Sequence, residues 1–365
     1  MNKIIYLDAA ASALKPRAVI DAEVDFLTNK YANTGRGVCA RAIAADNMLR
    51  DARRSVANFI NAAPENIVFT SGTTDAMNRI ANIVRDKIGT VAVSDIDHHS
   101  ARLPFMAAAR GRGDVVVMSL DADFNIDINR IPRSDVMVIT AMSNVMGRPQ
   151  DVSAIIRAAR RQNPDVVTIV DAAQYVAHAP IDVQAMDADF VCFSGHKIGA
   201  DTGVGVMYIK NPDAYSPDKF GGGMVRKVFP DGTWTNEDAP HKFEAGTLPL
   251  TQIAGMPAAM DSWRTWQGGA EMIGALHDAL SDMKRIQVLT SRDASLITFV
   301  VDGMHPIDVA MMLGANGVCV RAGNMCASWI HMALNIPGSV RISVGPWNTM
   351  DEISQTIDII RKIVK

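Results

Sequence analysis

The sequence contains no uninterrupted apolar run long enough to cross a bilayer, so it predicts no transmembrane segment. Only a short apolar stretch precedes Asp8, which argues against a secretory signal peptide. The chain also has no internal repeat and no low-complexity segment. These absences lead us to expect a protein that has no membrane partner.

Cysteine is scarce, and the four that occur, Cys39, Cys192, Cys319 and Cys326, form no CxxC pair. Their spacing therefore gives no sign of a metal-binding or redox dithiol motif. Cys192 and Cys319 lie in apolar strand patterns, where we expect inert core thiols. This usage favours a reducing, cytoplasmic setting.

The chain has no strong charge of either sign. Its formal net charge is −3 over 365 residues, which argues against nucleic acid or an anionic membrane as a partner. The length, with 48% hydrophobic residues, is sufficient for a large core and for two domains.

One stretch, FVCFSGHKIGADTGVGVMYI, organises the rest of the chain. Its two apolar runs, Phe190–Phe193 and Val204–Ile209, predict strands around a loop that carries Ser194, His196 and Lys197. Burial or a neighbouring cation lowers the pKa of a lysine, which can then form an imine with an aldehyde. The adjacent hydroxyl and imidazole suit a phosphate. The loop suggests pyridoxal phosphate (PLP), although a lysine after a strand is as often an ordinary surface residue.

A second buried-strand pattern, Val166–Val170, ends in Asp171, and Gln174 follows one turn later. PLP needs a carboxylate against its pyridine nitrogen, because the protonated ring is a better electron sink. Gln174 could hydrogen-bond the phenolic oxygen of the ring. A helix N-cap is the ordinary interpretation of such an aspartate, but its position one predicted strand before Lys197 favours the cofactor.

The strand Ile67–Thr70 runs into a Ser-Gly-Thr-Thr turn and a helix that begins near Asp75. Backbone N–H groups and hydroxyls converge at such a helix start, where the helix dipole is positive. We therefore assign the turn, with Thr73 and Thr74, to the cofactor phosphate. An ordinary capped helix is the alternative.

Two further motifs follow predicted strands. His98 and His99 come after Val91–Val93, and Asn144 comes after Val136–Thr140. A polar loop is the simplest interpretation of the histidine pair, and a metal site lacks a third ligand at a suggestive spacing. If PLP is present, a histidine here could stack on its ring and relay protons.

Strands and helices alternate down to about residue 210, which predicts an α/β domain with a mostly parallel sheet. The polar motifs follow the carboxyl ends of strands, where ligands bind in such sheets. The glycine-rich segment 220–247 is expected to be a long loop, functional or packed on another subunit. Beyond it, a mixture of strands and helices predicts a smaller α/β domain. One of these predicted strands is Val318–Arg321.

One helix prediction bears on the surface of the molecule. The pattern over Ala18–Lys30 predicts a helix whose apolar side includes Val19, Val24, Phe26 and Leu27.

A second candidate centre lies near the end of the chain. Cys326, in RAGNMCA, follows a glycine-containing turn and is expected on a loop, where a thiol can be reactive. Arg341 lies on the polar face or at the end of a strand pattern and could clamp a carboxylate bidentately. Taken alone, a bystander cysteine and a surface arginine on an edge strand are the simpler interpretations.

Together these motifs resemble those of fold-type I PLP enzymes of the class V aminotransferase superfamily. Within it, the chain is most similar to cysteine desulfurases of the Suf type and to the related selenocysteine lyases. The resemblance runs nearly end to end, through YLDAAASALKP, SGTTDAMN, HHSA, SNVMG, VDAAQ, FSGHK, TGVGVMYIK, GGGM, FEAGT, RAGNMCA and RISVGPWNT. It implies a large domain of residues 14–262 with a mostly parallel seven-stranded sheet, and a small α/β domain of residues 1–13 and 263–365.

The resemblance also implies a role for each matching residue. Lys197 would bind PLP covalently, and Asp171 and Gln174 would contact the ring nitrogen and the phenolic oxygen. His98 would stack on the ring, and Cys326 would accept sulfur. The phosphate-binding residues would be Thr73, Thr74, Ser194, His196 and, at the other subunit's cofactor, Thr247. The substrate-binding residues would be Asn144, Arg341, Arg321 and Arg36, with Arg321 beside the cysteine loop.

The implied activity is that of a cysteine desulfurase. L-cysteine would become L-alanine, and its sulfur would pass to Cys326 as a persulfide and then to a thiol-bearing acceptor protein, as in iron–sulfur cluster assembly. The family implies a homodimer. A selenocysteine lyase, aminotransferase, epimerase or β-lyase with an incidental Cys326 stays open, as does a non-catalytic scaffold.

The chain departs from the family pattern after its lysine. The family usually has Leu-Tyr-Gly-Pro-Thr-Gly there, and this chain has Ile198-Gly199-Ala200-Asp201-Thr202-Gly203. Because a glycine and a carboxylate replace a bulky aromatic and a rigid proline, we expect a more open site or an altered choice of substrate.

Overall fold

The computed structural model describes residues 4–264, 266 and 269–365. Residues 1–3, 265, 267 and 268, which the sequence assigns to the small domain, lie outside the described residues. The strands are β1 (Ile5–Tyr6), β2 (Ile67–Thr70), β3 (Thr90–Val93), β4 (Asp114–Val117), β5 (Val136–Thr140), β6 (Val167–Asp171), β7 (Phe190–Ser194), β8 (Gly205–Ile209), β9 (Val225–Val228), β10 (Trp234–Asn236), β11 (Ile286–Val288), β12 (Ile297–Val301), β13 (Val318–Cys319), β14 (Arg321–Gly323) and β15 (Ser339–Ile342).

The α-helices lie on both sides of these strands. They are α1 (Arg17–Asp25), α2 (Ala40–Phe59), α3 (Thr73–Ile83), α4 (His99–Ala109), α5 (Val152–Gln162), α6 (Val183–Met186), α7 (Leu250–Arg264), α8 (Gly269–Ser281), α9 (Pro306–Ala315), α10 (Ser328–Ala333) and α11 (Met350–Ile363). Among the described helices, none combines the length and the apolar character that crossing a bilayer requires.

The large sheet has seven strands in the order β2-β8-β7-β6-β5-β3-β4, and only β8 runs antiparallel to its neighbours. This confirms the predicted mostly parallel sheet. Every residue of β5, β6 and β7 is buried, because helices cover both faces. Such strands appear in the sequence as continuous apolar runs rather than as alternating ones.

The register of the central strands aligns their carboxyl ends. Thr140, the last residue of β5, pairs with Asp171, and Asp171 pairs with Cys192. The polar residues that follow these strands therefore meet at one edge of the sheet, as the sequence predicted.

The C-terminal part forms a four-stranded antiparallel sheet in the order β11-β12-β15-β14. Its core cluster also contains Ile5 and Leu7 from the chain's start. The first strand, β1, pairs in parallel with β13, and Asp8 forms an isolated bridge with Ser343. The division of the chain at residues 14 and 262 stays a prediction.

Two expectations about local structure were wrong. The segment 220–247 is not only a loop, because β9 and β10 pair in it as an antiparallel hairpin. The single strand predicted at Val318–Arg321 is divided, since β13 pairs with β1 whereas β14 pairs with β15. The second of these segments changes its pairing partner within a few residues, which an apolar pattern does not reveal.

The apolar side of the first helix is only partly buried. Val19 and Phe26 are buried, but Val24 and Leu27 remain 52% and 51% exposed. Together with Ile20 they form an apolar face that the described part of the chain leaves uncovered. The α-helix ends at Asp25 and continues as a π-helical turn.

Candidate active site

A cavity of about 300 Å³ lies at the carboxyl edge of the large sheet, where the C-terminal part of the chain meets it. All of the predicted site residues except Arg36 and Thr247 line this cavity. Those that do are Thr73, Thr74, His98, Asn144, Asp171, Gln174, Ser194, His196, Lys197, Arg321, Cys326 and Arg341.

Lys197 ends the short 3-10 turn that follows β7. Its Nζ donates hydrogen bonds to the carbonyl oxygens of Ala10, at 2.6 Å, and of Ala11, at 3.3 Å. Burial, and next the charge of Arg341, lower the pKa of this lysine to about 7. Near neutral pH a large fraction of the amine is therefore unprotonated and nucleophilic.

Asp171 is the last residue of β6 and is only 4% exposed. Its Oδ1 accepts a hydrogen bond from the N–H of Ala173 at 2.9 Å, so it supports the following turn as well as lining the cavity. Burial raises the pKa of Asp171 to about 6, against the opposing effect of the Ala173 hydrogen bond and of Lys197. A cationic partner at the carboxylate would offset this cost of burial.

His98 is the N-cap residue of α4, and its Nδ1 accepts the N–H of Ser100 at 3.1 Å. Burial, with a further contribution from Lys197, lowers the pKa of His98 to about 4. The imidazole is therefore neutral at physiological pH. Because Nδ1 is the acceptor, its proton is assigned to Nε2.

The predicted phosphate turn brings hydroxyls together at the start of α3. Gly72 has a φ of +144°, which favours glycine. Thr73 donates its N–H to Ser194 Oγ at 2.8 Å, and the two hydroxyls lie 2.8 Å apart. Thr74 Oγ1 lies 2.7 Å from Ser100 Oγ. These groups surround the positive end of an eleven-residue helix, which is an anion-binding arrangement.

Arg341 is the next-to-last residue of β15, a strand between β12 and β14, and is only 2% exposed, so the alternative of a surface arginine on an edge strand was wrong. Its Nη1 donates to the carbonyl oxygen of Asn144 at 3.0 Å, and Nη2 lies 3.3 Å from Asp8 Oδ1. The other oxygen of Asp8 binds Arg321 at 2.7 Å. Asp8 thus offsets the charge of two arginines, and its position at the end of the first predicted strand is the signal that could have identified it.

Cys326 lies on the loop between β14 and α10 and is exposed, as expected. Met325 and Cys326 both have left-handed backbones, with φ of 49° and 55°. Cys326 donates its N–H to Asn324 Oδ1 at 3.2 Å, and Asn144 Nδ2 donates to the carbonyl of Met325 at 2.8 Å. We call residues 324–328 the cysteine turn.

The other cysteines lie away from the cavity. Cys192 is buried in β7, and burial raises the pKa of its thiol well above the usual value. Cys39 is exposed just before α2, and Cys319 is only partly buried rather than fully in the core. Cys326 is thus the cysteine that the fold presents to Lys197.

Two predicted residues lie outside the cavity within one chain. Thr247 lines a separate recess together with Tyr31 and Leu248. Arg36 lies exposed on the loop before α2. Neither can act at this chain's own cavity in the described arrangement.

The departure after Lys197 faces the N-terminal segment rather than the cavity. A side chain at Gly199 would approach Pro16 Cδ to 2.9 Å, and φ at Gly199 is +87°. Asp201 forms an ion pair with Lys15 at 3.2 Å. Residues 198–203 do not line the cavity, so the structure shows no direct contact through which this departure would change the choice of substrate.

The sequence analysis missed several polar groups around the site. Asp97 is fully buried and accepts hydrogen bonds from the N–H and Oγ of Ser94, at 2.7 and 2.6 Å, and from Thr140 Oγ1 at 2.8 Å. Thr140 itself lines the cavity at the end of β5. Asp97 directly precedes His98, so an acidic residue beside the histidine pair was the available signal.

The donor set of the cavity fits PLP. A lysine amine, a buried carboxylate and a hydroxyl-rich helix start face one space, as an aldehyde, a pyridine nitrogen and a phosphate require. Three buried polar atoms, Asn144 Oδ1, Gln174 Oε1 and Arg341 Nε, have no hydrogen-bond partner among the described residues. Buried polar atoms are normally paired, so these indicate bound groups. The described residues contain no group of three His, Cys, Asp or Glu that could hold a metal.

Comparisons with known proteins agree with this chemistry. Residues 5–356 match the family model described as aminotransferase class-V. A probable cysteine desulfurase of Vibrio cholerae is 35% identical, over 100% of this chain and 94% of that protein. The structure of a cysteine desulfurase from Thermococcus onnurineus superposes with a TM-score of 0.94 at 27% identity, over 99% of this chain and 94% of that one. The cysteine desulfurase CsdA of Escherichia coli gives 0.91 at 32% identity, over 98% and 94%.

Proposed function

The chain belongs to the class-V aminotransferase family, and from that premise we propose that it is a PLP-dependent cysteine desulfurase that takes the sulfur of L-cysteine onto Cys326. The observation that carries the proposal is the exposed Cys326 on the wall of the cavity that also contains Lys197 and Asp171. An aminotransferase or an epimerase has no need for a thiol there. The Suf subtype and a cytoplasmic location stay predictions.

Each group of the cavity has a part in holding the cofactor. Asp171 would pair with the protonated ring nitrogen, and this positive charge would offset the cost of burying the carboxylate. Thr73, Thr74, Ser194 and His196 would bind the phosphate. The chemistry that bound PLP supplies is electron withdrawal from the substrate's Cα, which makes the Cα–H acidic.

The substrate carboxylate has a natural partner in Arg341. The pKa of Arg341 is lowered to about 10 by burial, so the guanidinium remains charged at neutral pH. Its unpaired Nε can donate to a carboxylate oxygen. With a pKa of about 7, the amine of Lys197 can take the Cα proton and later return a proton to the product.

The sulfur-transfer step balances without an added oxidant. Cys326 Sγ, as the thiolate, attacks the sulfur of the substrate, so that an S–S bond forms while the Cβ–S bond breaks. The electron pair of the broken bond passes to the amino-acid fragment, which takes up protons and leaves as alanine. Cys326 remains as a persulfide, and its outer sulfur can pass to the thiol of an acceptor protein by exchange.

The deciding experiment measures alanine and sulfide from L-cysteine in the presence of PLP and a reductant. We expect equal amounts from the native protein. Cys326→Ala should lower alanine formation at least about a hundredfold, because the enzyme's nucleophile is lost.

Cys39→Ala is the matched control, because it removes an exposed thiol that does not line the cavity of its own chain, and we expect native activity. If Cys326→Ala forms alanine as fast as the native protein, sulfur does not pass through Cys326 and the proposal is wrong. A transamination or racemisation product would then identify another reaction of the family.

We also propose that the protein acts as a homodimer. The uncovered apolar face formed by Ile20 and Val24 of α1 and Leu27 of the following π-helical turn has the character of a subunit interface. Thr247 shares its recess with Tyr31, which follows that helix directly. A second copy on this face would explain why Thr247 and Arg36 lie outside the cavity of their own chain.

Val24→Lys should shift the protein from dimer to monomer in analytical ultracentrifugation, since an unpaired charge in an apolar interface is strongly unfavourable. Met311→Lys places the same charge on α9, where Met311 is 68% exposed, and should leave the mass unchanged. A native protein that sediments as a monomer at micromolar concentration would contradict the proposal.

A further inference from the structure

His99 is adjacent to His98 but does not line the cavity. Its contacts go instead to the cysteine turn. The N–H of His99 donates to the carbonyl oxygen of Cys326 at 2.7 Å. Its Nε2 lies 3.1 Å from Ser328 Oγ and accepts the N–H of Ser328 at 3.3 Å. Because a backbone N–H can only donate, Nε2 is unprotonated and the ring proton is on Nδ1.

A second set of contacts joins α4, which begins at His99, to α10, which begins at Ser328. The ring of Trp329, in α10, meets the ring of His99 edge to face, with 5.2 Å between centroids and planes at 82°. Arg102, one turn along α4, places its guanidinium 4.1 Å from the centroid of Trp329. Arg102 is itself fixed by Ser94 O at 3.1 Å and by Asp95 at 2.9 Å. The start of α10 is thus held against the start of α4.

The cysteine turn needs such support. Met325 and Cys326 adopt left-handed backbones in succession, and each costs free energy in a residue with a side chain. A strained turn persists only where its surroundings hold it. Asn324 ties the turn internally, since it accepts from the N–H of Cys326 and donates to Ser328 Oγ at 3.2 Å.

Two hydrogen bonds reach the turn from the large sheet's side of the cavity, from Asn144 and His99, and His331 of α10 contacts the carbonyl oxygen of Ala327 at 2.9 Å. Asn144 lines the cavity and faces substrate, whereas His99 does not. His99 therefore offers a contact to the turn that does not involve the substrate.

We propose that His99 is a positioning residue that holds the cysteine turn against the N-terminus of α4 and so keeps the Cys326 thiol at the cavity of Lys197. His99 touches no reacting atom, and its effect reaches the chemistry through Ser328, Trp329 and the carbonyl of Cys326. The catalytic meaning of this role rests on the proposed function, but the positioning itself does not.

The first test measures amide hydrogen exchange of the PLP-loaded protein by mass spectrometry. His99→Ala should speed exchange in peptides that contain the cysteine turn by about three- to tenfold, as expected for a lost hydrogen bond and ring contact. His99→Gln places an amide oxygen near the position of Nε2 and should restore most of the protection. Peptides from β5 to β7 should not change.

His241→Ala is the matched control, because His241 is an exposed histidine that does not line the cavity. It should leave exchange in the turn unchanged. Ser328→Ala removes the hydroxyl on the other side of the contact and should speed exchange in the same peptides, which also provides the test if His99→Ala does not fold. Native exchange in the turn of both folded variants would overturn the proposal.

The second test separates positioning from substrate binding. A misplaced thiol affects a step after L-cysteine has bound, so His99→Ala should lower kcat about three- to tenfold and change KM by no more than about twofold. In a Cys326→Ala background, His99→Ala should have no further effect on residual alanine formation.

A rise in KM with native kcat would contradict the role of His99 at the turn. Complete absence of desulfurase activity in the native protein would instead contradict the proposed function. In that case the exchange experiment still decides whether His99 holds the turn.

Discussion

Replacing Lys197 by alanine should lower alanine formation from L-cysteine by about 10⁴-fold, at the upper end of what one positioned acid–base group contributes. The structure places its amine in a buried cavity with a pKa of about 7, and we propose that this one side chain serves as nucleophile and as base. Lys197→Arg should be no better, because a guanidinium stays protonated and cannot take up the Cα proton.

The measurement is single-turnover alanine formation, with an absorption spectrum of each variant after addition of PLP. Lys227→Ala, which changes an exposed lysine of the β9–β10 hairpin, should behave like the native protein in both. If Lys197→Ala keeps activity within about tenfold of native, the acid–base group of this reaction is another residue.

Much of the site could be predicted because its residues follow the ends of buried strands. The apolar runs that end at Thr70, Thr140 and Asp171 were visible in the sequence, and each is a strand of the large sheet. In a parallel sheet the carboxyl ends of strands meet at one edge. The polar residues after these strands could therefore be placed in one cavity without knowledge of any distance.

The environment of Arg341 could not be predicted in this way. Its partner Asp8 is 333 positions earlier in the chain, and the strand pattern of alternating side chains suggested an accessible arginine. A buried arginine needs a buried acceptor, and local periodicity carries no information on a partner so distant. The contact of His99 with Ser328 could not be predicted for the same reason, because the two residues are 229 positions apart.

The outward face of α1 shows a different limit. Val24 and Leu27 have the spacing of a buried helix face, and the pattern cannot tell whether the covering surface belongs to the same chain. The structure shows that the described part of this chain does not cover them. The pattern therefore identified the apolar face but not the surface that covers it.

Asp171→Asn should have two opposite effects, a gain in stability of the cofactor-free protein and a loss of activity. Burial raises the pKa of Asp171 from 3.8 to about 6, so the native carboxyl keeps its proton at pH values where the unfolded chain has lost it. The native protein therefore loses stability as the pH rises from about 4 to about 6, and the full cost remains above that range. Two pKa units correspond to about 3 kcal/mol.

Asparagine does not titrate, and its Oδ1 can still accept the N–H of Ala173. The free energy of unfolding of Asp171→Asn, from urea denaturation without PLP, should therefore match that of the native protein near pH 4 and exceed it by up to about 3 kcal/mol at pH 7. Asp213→Asn, at a carboxylate that is 95% exposed, should show no such divergence.

Addition of PLP should remove most of this difference in stability. A ligand that binds the folded state stabilises it by about 2.7 kcal/mol at a hundred times its Kd, and only the native carboxylate can pair with a protonated ring nitrogen.

Activity of Asp171→Asn should fall by about 10²- to 10³-fold, the range for one preorganised electrostatic group. A variant that is less stable than native at pH 7 without PLP would show that the carboxylate is fully compensated by the protein itself. If Asp171→Asn behaves as expected, binding of the cofactor removes the cost of burying the charged Asp171 carboxylate. The charge of this residue would then lower the stability of the cofactor-free protein and at the same time be required for catalysis.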